Sequence, residues 1–204
     1  MAVMNSAIDT QQRILDSARE LIHSRSYADV GVAAICERAG VKKGSFYHFF
    51  PSKRDLTLAV LDGYYMQMKR NLLDIAFSTG FPPLQRLERF AQLLYEIQKS
   101  NVASTGHLFG CPFGNLAVEL STQDEPIRLK VAEIFSRLRS DFRQTLDEAV
   151  NTGDLEGIDT EATAAAMLAY FEGVMMMAKT QNDPEVLRKL LPGLSVIRIF
   201  PADG

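Results

Sequence analysis

Residues 41–56, VKKGSFYHFFPSKRDL, place two adjacent lysines, four aromatic rings, a histidine and a Lys-Arg pair in sixteen consecutive positions. Set on a helix at about 100° per residue, Phe46, Phe49 and Phe50 share one arc and Lys43, Gly44, Tyr47 and His48 the opposite one. The phenylalanines are then anchors, and the other face is outward, basic and hydrogen-bonding. Gly44 on that face lets a backbone approach closely. Pro51 disfavours helix in the residue before it, so this helix is short, about 43–50. Ser52 caps the next helix, with Asp55 at the reciprocal capping position. Upstream, a short helix is expected over 32–39, with Ala33, Ala34 and Ile35 available to pack and Gly40 closing it in a left-handed conformation. The first helix starts at Asp9 or Thr10 and keeps Ile14, Leu15, Ala18, Leu21 and Ile22 on one face.

A helix, a turn containing glycine and a second helix with a Lys, Tyr and His face form the layout of a helix-turn-helix, whose second helix enters the DNA major groove. The competing reading is a solvated basic face on a small bundle. Three features weigh against it. The third helix is very short for one that only packs. Its cations sit where free main-chain N–H groups also favour phosphate. Lys53 and Arg54 add charge just past Pro51, as a phosphate-clamping flank would.

Charge is divided along the chain in the same sense. Of the 204 residues, 1–54 hold eight Lys/Arg against five Asp/Glu, leaving 14 against 20 for the rest and a net charge of −3 overall. A basic head on an acidic body is the expectation. Apolar residues at 47% and charged residues at 23% are ordinary for a globular protein that builds its own core. Cys36 and Cys111, the two cysteines, make no disulfide framework and fit a reducing compartment. MAVMNSAIDTQQR lacks the form of a signal peptide, and the most apolar segment, 162–178, is too short to span a bilayer. A cytoplasmic protein without a membrane partner is expected. Past Gly80, helices are expected over 84–99, from Pro112, over 125–150, over 160–180 and from Pro184 onward, with SNVASTGHLFG (100–110) as loop. Strand-like alternation is lacking, so the fold class is all-α with about nine helices.

The stretch ILDSARELIHSRSYADVGVAAICERAGVKKGSFYHFFPSKRDLTLAVLD resembles the N-terminal DNA-binding domain of the TetR family of transcriptional regulators, including the G-V-x-K-G-x-x-Y-x-x-F-x-S-K core from Gly40 to Lys53. Gly31 departs from the family, which usually places Thr or Ser there; glycine caps more weakly. The resemblance implies a homodimeric repressor that reads a palindromic operator in double-stranded DNA. It implies a helix-turn-helix domain over 1–54 and an effector-binding and dimerisation domain over 55–204. Carried over by position, Lys42, Gly44, Ser45, Tyr47, His48 and Lys53 become DNA contacts, and the wheel adds Lys43. Lys43 and Ser45 are best placed for base edges, and Tyr47, His48 and Lys53 for the backbone.

In such regulators the remaining helices dimerise and bind a small-molecule effector. Helix 160–180 is apolar nearly all round, with Met167, Leu168, Tyr170, Phe171, Val174, Met175, Met176 and Met177, and must be covered on two sides. With Val186, Leu187, Leu190, Leu191 and Leu194 of the last helix it suggests a two-fold interface, or else the plain core of a monomer. LPG at 191–193 interrupts that last helix. GHLFGCPFGNLAVEL (106–120) puts Cys111 before Pro112 at a helix N-terminus, where free N–H groups lower a thiol's pKa. His107 could add positive charge, and Cys111, Asn115 and Glu119 share a face. G-C-x-x-G-N-L-A-x-E-L is similar to a pattern in a branch of the family that includes NemR-like regulators, which implies electrophile sensing at Cys111. The candidate sensing set is therefore Cys111, His107, Asn115, Glu119 and Tyr170. The alternative is a non-covalent hydrophobic ligand with a structural Cys111. A thiol-dependent redox enzyme is disfavoured because position 114 is glycine rather than a second cysteine. Catalytic residues, a metal site and a cofactor are not expected.

Overall fold

The computed structural model describes residues 2–201, and the side chains from residue 7 onward. Nine helices run through the described residues, with no strand among them. They are α1 (Ala2–Ser24), α2 (Val32–Ala39), α3 (Lys43–Phe49) and α4 (53–76). There follow α5 (Pro83–Thr105), α6 (Pro112–Leu120), α7 (Glu125–Asn151), α8 (Thr160–Gln181) and α9 (Glu185–Leu190). A 3-10 segment, Leu191–Val196, continues α9, where Pro192 and Gly193 interrupt regular helix. The fold class is all-α, as the sequence pattern predicts. No helix among the described residues is long and apolar enough to cross a membrane.

The chain forms two compact units. The first takes residues 1–66 and 112–131, and the second 67–111 and 132–204. In the first, α1, α2 and α3 pack on one another around Ile14, Ala18, Val30, Ile35 and Phe46, all fully buried. Gly40 adopts φ 63°, ψ 39° and donates its N–H back to α2, the left-handed closure its position predicts. Gly31 precedes α2 in extended backbone with no side-chain cap, so α2 still begins at Val32. Ala33 stays exposed there, while Ile35, Cys36 and Ala39 do the packing. The Ser52 hydroxyl accepts the Asp55 N–H at 3.1 Å and donates to the Asp55 carboxylate at 2.6 Å, holding the start of α4.

The second unit is built on an aromatic cluster. Phe90 stands edge-on to Phe142 and Phe171, and Phe77 stacks on Phe90 with ring centroids 5.7 Å apart. Arg86 donates to Glu148 at 2.6 Å and to the Phe81 carbonyl at 2.8 Å, which satisfies a nearly buried guanidinium. Five residues of α4, Lys69–Leu73, form a π-turn.

Two boundaries correct the sequence reading. Helix α1 begins at Ala2 rather than at Asp9 or Thr10, because nothing in residues 2–8 breaks a helix and a polar residue inside one need not cap it. Helix α5 runs to Thr105, so residues 100–105 are not loop; Gly106, at φ 76°, ends it. The last two helices supply core to the second unit, the plainer of the two readings their apolar residues allow. Val186, Leu187, Leu191 and Leu194 are buried within the second unit, as are Met167, Phe171, Val174 and Met175 of α8. Those residues serve the unit's own core. From α8 onward, the large apolar side chains left outward are Met176, Met177, Val196, Ile199 and Phe200.

Candidate functional site

The short α3 sorts its side chains as the helical wheel predicts. Phe46 is fully buried, with Phe50 beside it at a centroid distance of 6.1 Å. Phe49 is half-buried and packs edge-on to His48 at 4.9 Å. Lys42, Lys43, Gly44, Tyr47 and His48 are exposed, and Ser45 is half-buried. Tyr47 keeps 53% of its surface in solvent although its ring leans edge-on against Phe46. Lys42 and Lys43 form no salt bridge among the described residues, whereas Arg38 pairs with Glu20 and Arg54 with Asp124 in the same unit. Cations without carboxylate partners attract phosphate more strongly than paired ones. A Cβ placed on Gly44 would meet no atom within 4 Å, so packing does not demand glycine there.

Lys53 is placed differently from the others. It is half-buried, its ammonium donates to the Tyr27 carbonyl and lies 3.8 Å over the Tyr27 ring. Burial pushes its pKa below the usual range, with Glu119 acting against that. Any bond it makes with a phosphate competes with this one.

Tyr27 is also held from the other side. Its N–H and that of Ala28 donate to the two carboxylate oxygens of Glu119, at 2.9 and 2.7 Å. Asp124 accepts from Arg54 at 2.7 Å while its second oxygen takes the Ile127 N–H at 3.2 Å. Lys130 reaches Asp62 at 3.0 Å. Residues 112–131 therefore clamp the segment that leads into α2 and the start of α4. Sequence reasoning misses this clamp. Glu119 has both oxygens engaged with main chain, and no local pattern marks Asp124 at all.

The remaining members of the sensing set are divided between the two units. Asn115 is half-buried in the first unit. In the second, His107 is exposed and lies by Phe109. Tyr170 donates to the Leu190 carbonyl at 2.7 Å, and its ring lies against Gly193, where a Cβ would come within 2.5 Å of the hydroxyl. Cys111 is buried, at 7% exposure, and its side chain is hydrogen-bonded to Glu172 of α8. Burial raises the Glu172 carboxyl above its ordinary range, and the bond with Cys111 works the other way. The loop that carries Cys111 is latched by Asn182, whose side chain accepts the Leu108 N–H at 2.8 Å and donates to the Gly106 carbonyl at 3.1 Å. Cys36 is buried in α2, and burial pushes its thiol up, so it packs. No group of three His, Cys, Asp or Glu among the described residues could hold a metal ion.

Comparisons with known proteins agree with this layout. The family described as bacterial regulatory proteins, tetR family, matches residues 14–60, and the tetracyclin repressor-like C-terminal domain matches 83–194. The transcriptional regulator AcuR of Cereibacter sphaeroides is 33% identical over 178 residues, covering 86% of this chain and 79% of its own. The transcriptional repressor NemR of Escherichia coli is 26% identical over 195 residues, covering 95% and 96%. The crystal structure of regulatory protein TetR from Rhodobacter sphaeroides superposes with a TM-score of 0.80 at 30% identity, covering 92% of this chain and 98% of that one.

Proposed function

Because the chain belongs to the TetR family of transcriptional regulators, which are not enzymes, we propose that it is a homodimeric repressor released from a palindromic operator by a small-molecule effector. Residues 1–54 serve as the reading head and 55–204 as the effector-binding and dimerisation part. Lys43 and Ser45 face base edges; Lys42, Tyr47 and His48 hold phosphates; Gly44 lets the sugar-phosphate chain approach; and Lys53 lends charge to the flank. The observation that carries the reading is the outward, unpaired Lys42–Lys43 face seated on a buried Phe46. The dimer uses the outward side of α8, where Ala169, Gly173, Met176 and Met177 alternate small and flexible apolar surface, together with Val196, Ile199 and Phe200. The regulator works in the cytoplasm, and Cys111 senses a reactive electrophile.

A gel shift on the DNA upstream of its own gene, titrated with salt, tests the reading. Log affinity should fall linearly with log salt, with a slope of roughly −0.9 per phosphate neutralised. Binding that ignores salt, or no binding to any upstream fragment, counts against it. Sedimentation velocity should give a dimer. The burial of Cys111 favours a second reading, in which a non-covalent apolar ligand is the effector and the thiol only packs. Cys111→Ser separates the two, since it should bind DNA yet stop responding to electrophiles only if the thiol is the sensor.

A further inference from the structure

Cys111 does not stand alone. Its side chain is hydrogen-bonded to the Glu172 carboxyl, and the other carboxyl oxygen, Oε1, is buried with no hydrogen-bond partner. A buried acceptor left open is costly, and an apolar side chain of similar size would pack inside the unit without that cost. The second unit therefore retains a carboxyl beside a nucleophile, with one oxygen on the thiol and one still open.

This arrangement differs from a thiolate held by a helix dipole and a histidine. A neighbouring carboxylate disfavours free thiolate. Reactivity must then come from proton transfer during attack. Burial makes Glu172 a stronger base than an exposed glutamate, which suits it to that transfer.

We propose that Glu172 is the proton acceptor for Cys111, and that the pair captures small, uncharged α,β-unsaturated carbonyl compounds by conjugate addition. The proposal deepens, and rests on, the reading of Cys111 as the sensor. The Cys111 S–H proton passes to the Glu172 carboxylate as a sulfur lone pair forms the bond to the β-carbon. The alkene π pair moves toward the carbonyl oxygen to give an enolate. Glu172 then returns the proton to the α-carbon. The product is a thioether that contains every atom of both reactants, and no oxidant or leaving group takes part. A charged effector carrying its own carboxylate would put a second anion beside Glu172 in a buried site, which is unfavourable. Small size follows from the burial of Cys111. The adduct's added volume falls on the loop that Asn182 latches through Leu108 and Gly106. Cys111 is joined by its own peptide bond to Pro112, the first residue of α6, on which Glu119 sits.

The test treats the full-length protein with methyl vinyl ketone at pH 7, and follows Cys111 by mass spectrometry and DNA by gel shift. One equivalent should add at Cys111 with no mass lost, and DNA should be released. Glu172→Gln should slow addition roughly a hundredfold, the scale of a lost general base. Glu172→Asp, which withdraws the carboxylate by one methylene, should slow it too. If circular dichroism shows one variant unfolded, the other decides by the same criterion. Addition as fast as, or faster than, in the unsubstituted protein would mean that the carboxylate only restrains the thiol, and would overturn the pair. An adduct on Cys111 that leaves DNA bound would instead remove the sensor reading while the chemistry of the pair survives.

Discussion

The face of α3 and the Cys111–Glu172 pair treat polar groups in opposite ways. On α3 the lysines, Tyr47 and His48 are pushed outward, with apolar residues doing all the packing beneath them. In the second unit a thiol and a carboxyl are drawn inside and paired with each other. Outward groups contribute little to folding and are available to a large, charged partner. Buried groups cost folding energy and are available only to something small enough to reach them. Stability and function should therefore separate on α3 and be coupled near Cys111.

The largest effect that could break this comparison lies within α3 itself. Phe46→Ala should cost about 3–5 kcal/mol, because it empties a fully buried site, whereas Tyr47→Ala should leave stability nearly unchanged and weaken DNA binding. Urea denaturation and gel shifts on both variants check the split; equal effects on stability would show that the outward ring is structural. Next comes Glu119→Gln, which removes a charged acceptor from the Tyr27 and Ala28 amides and should cost about 1–3 kcal/mol. Thermal melts measure it, and a variant as stable as the parent would mean that the clamp is ornamental.

Replacing Lys42 and Lys43 together by alanine should leave the melt in place and make the salt dependence shallower, by about one in slope for each phosphate no longer neutralised. A smaller effect is expected inside the second unit at Asp141. Its burial lifts the carboxyl from 3.8 to about 6, with Lys69 pulling it down and Asp74 pushing it up. The folded state then binds this proton more tightly than the unfolded state does. Its contribution is fully present below about pH 4 and is lost as pH rises through 6. Asp141→Asn should accordingly be more stable than the parent at pH 7, with the gap closing toward pH 4 in urea denaturation. Smallest is Gly44→Ala, which should raise stability by up to about 1 kcal/mol through helix propensity while reducing DNA affinity. A gain in both would show that no backbone approaches there.

The same contrast explains what can be read from sequence alone. The limits of α2, the left-handed Gly40 and the inward set of α3 depend on neighbours within a few residues, where periodicity and backbone preference speak directly. The start of α1 is less legible because Asp9 and Thr10 are acceptable caps and also tolerable helix interior. Glu119 shares a helix face with Cys111, and periodicity alone groups the two. Its true partners, the amides of Tyr27 and Ala28, lie 92 and 91 residues away and leave no trace in local pattern. Glu172 likewise reads only as an interruption in an apolar helix until Cys111 is placed against it.

The clamp made by residues 112–131 bears on how such regulators can be recombined. A chimaera that grafts residues 1–66 onto a foreign body would leave the amides of Tyr27 and Ala28, the Arg54 guanidinium and the Asp62 carboxylate facing whatever that body supplies. Transplanting the reading head with its function intact requires carrying the discontinuous piece along with it, so the heritable module is two segments of chain rather than one.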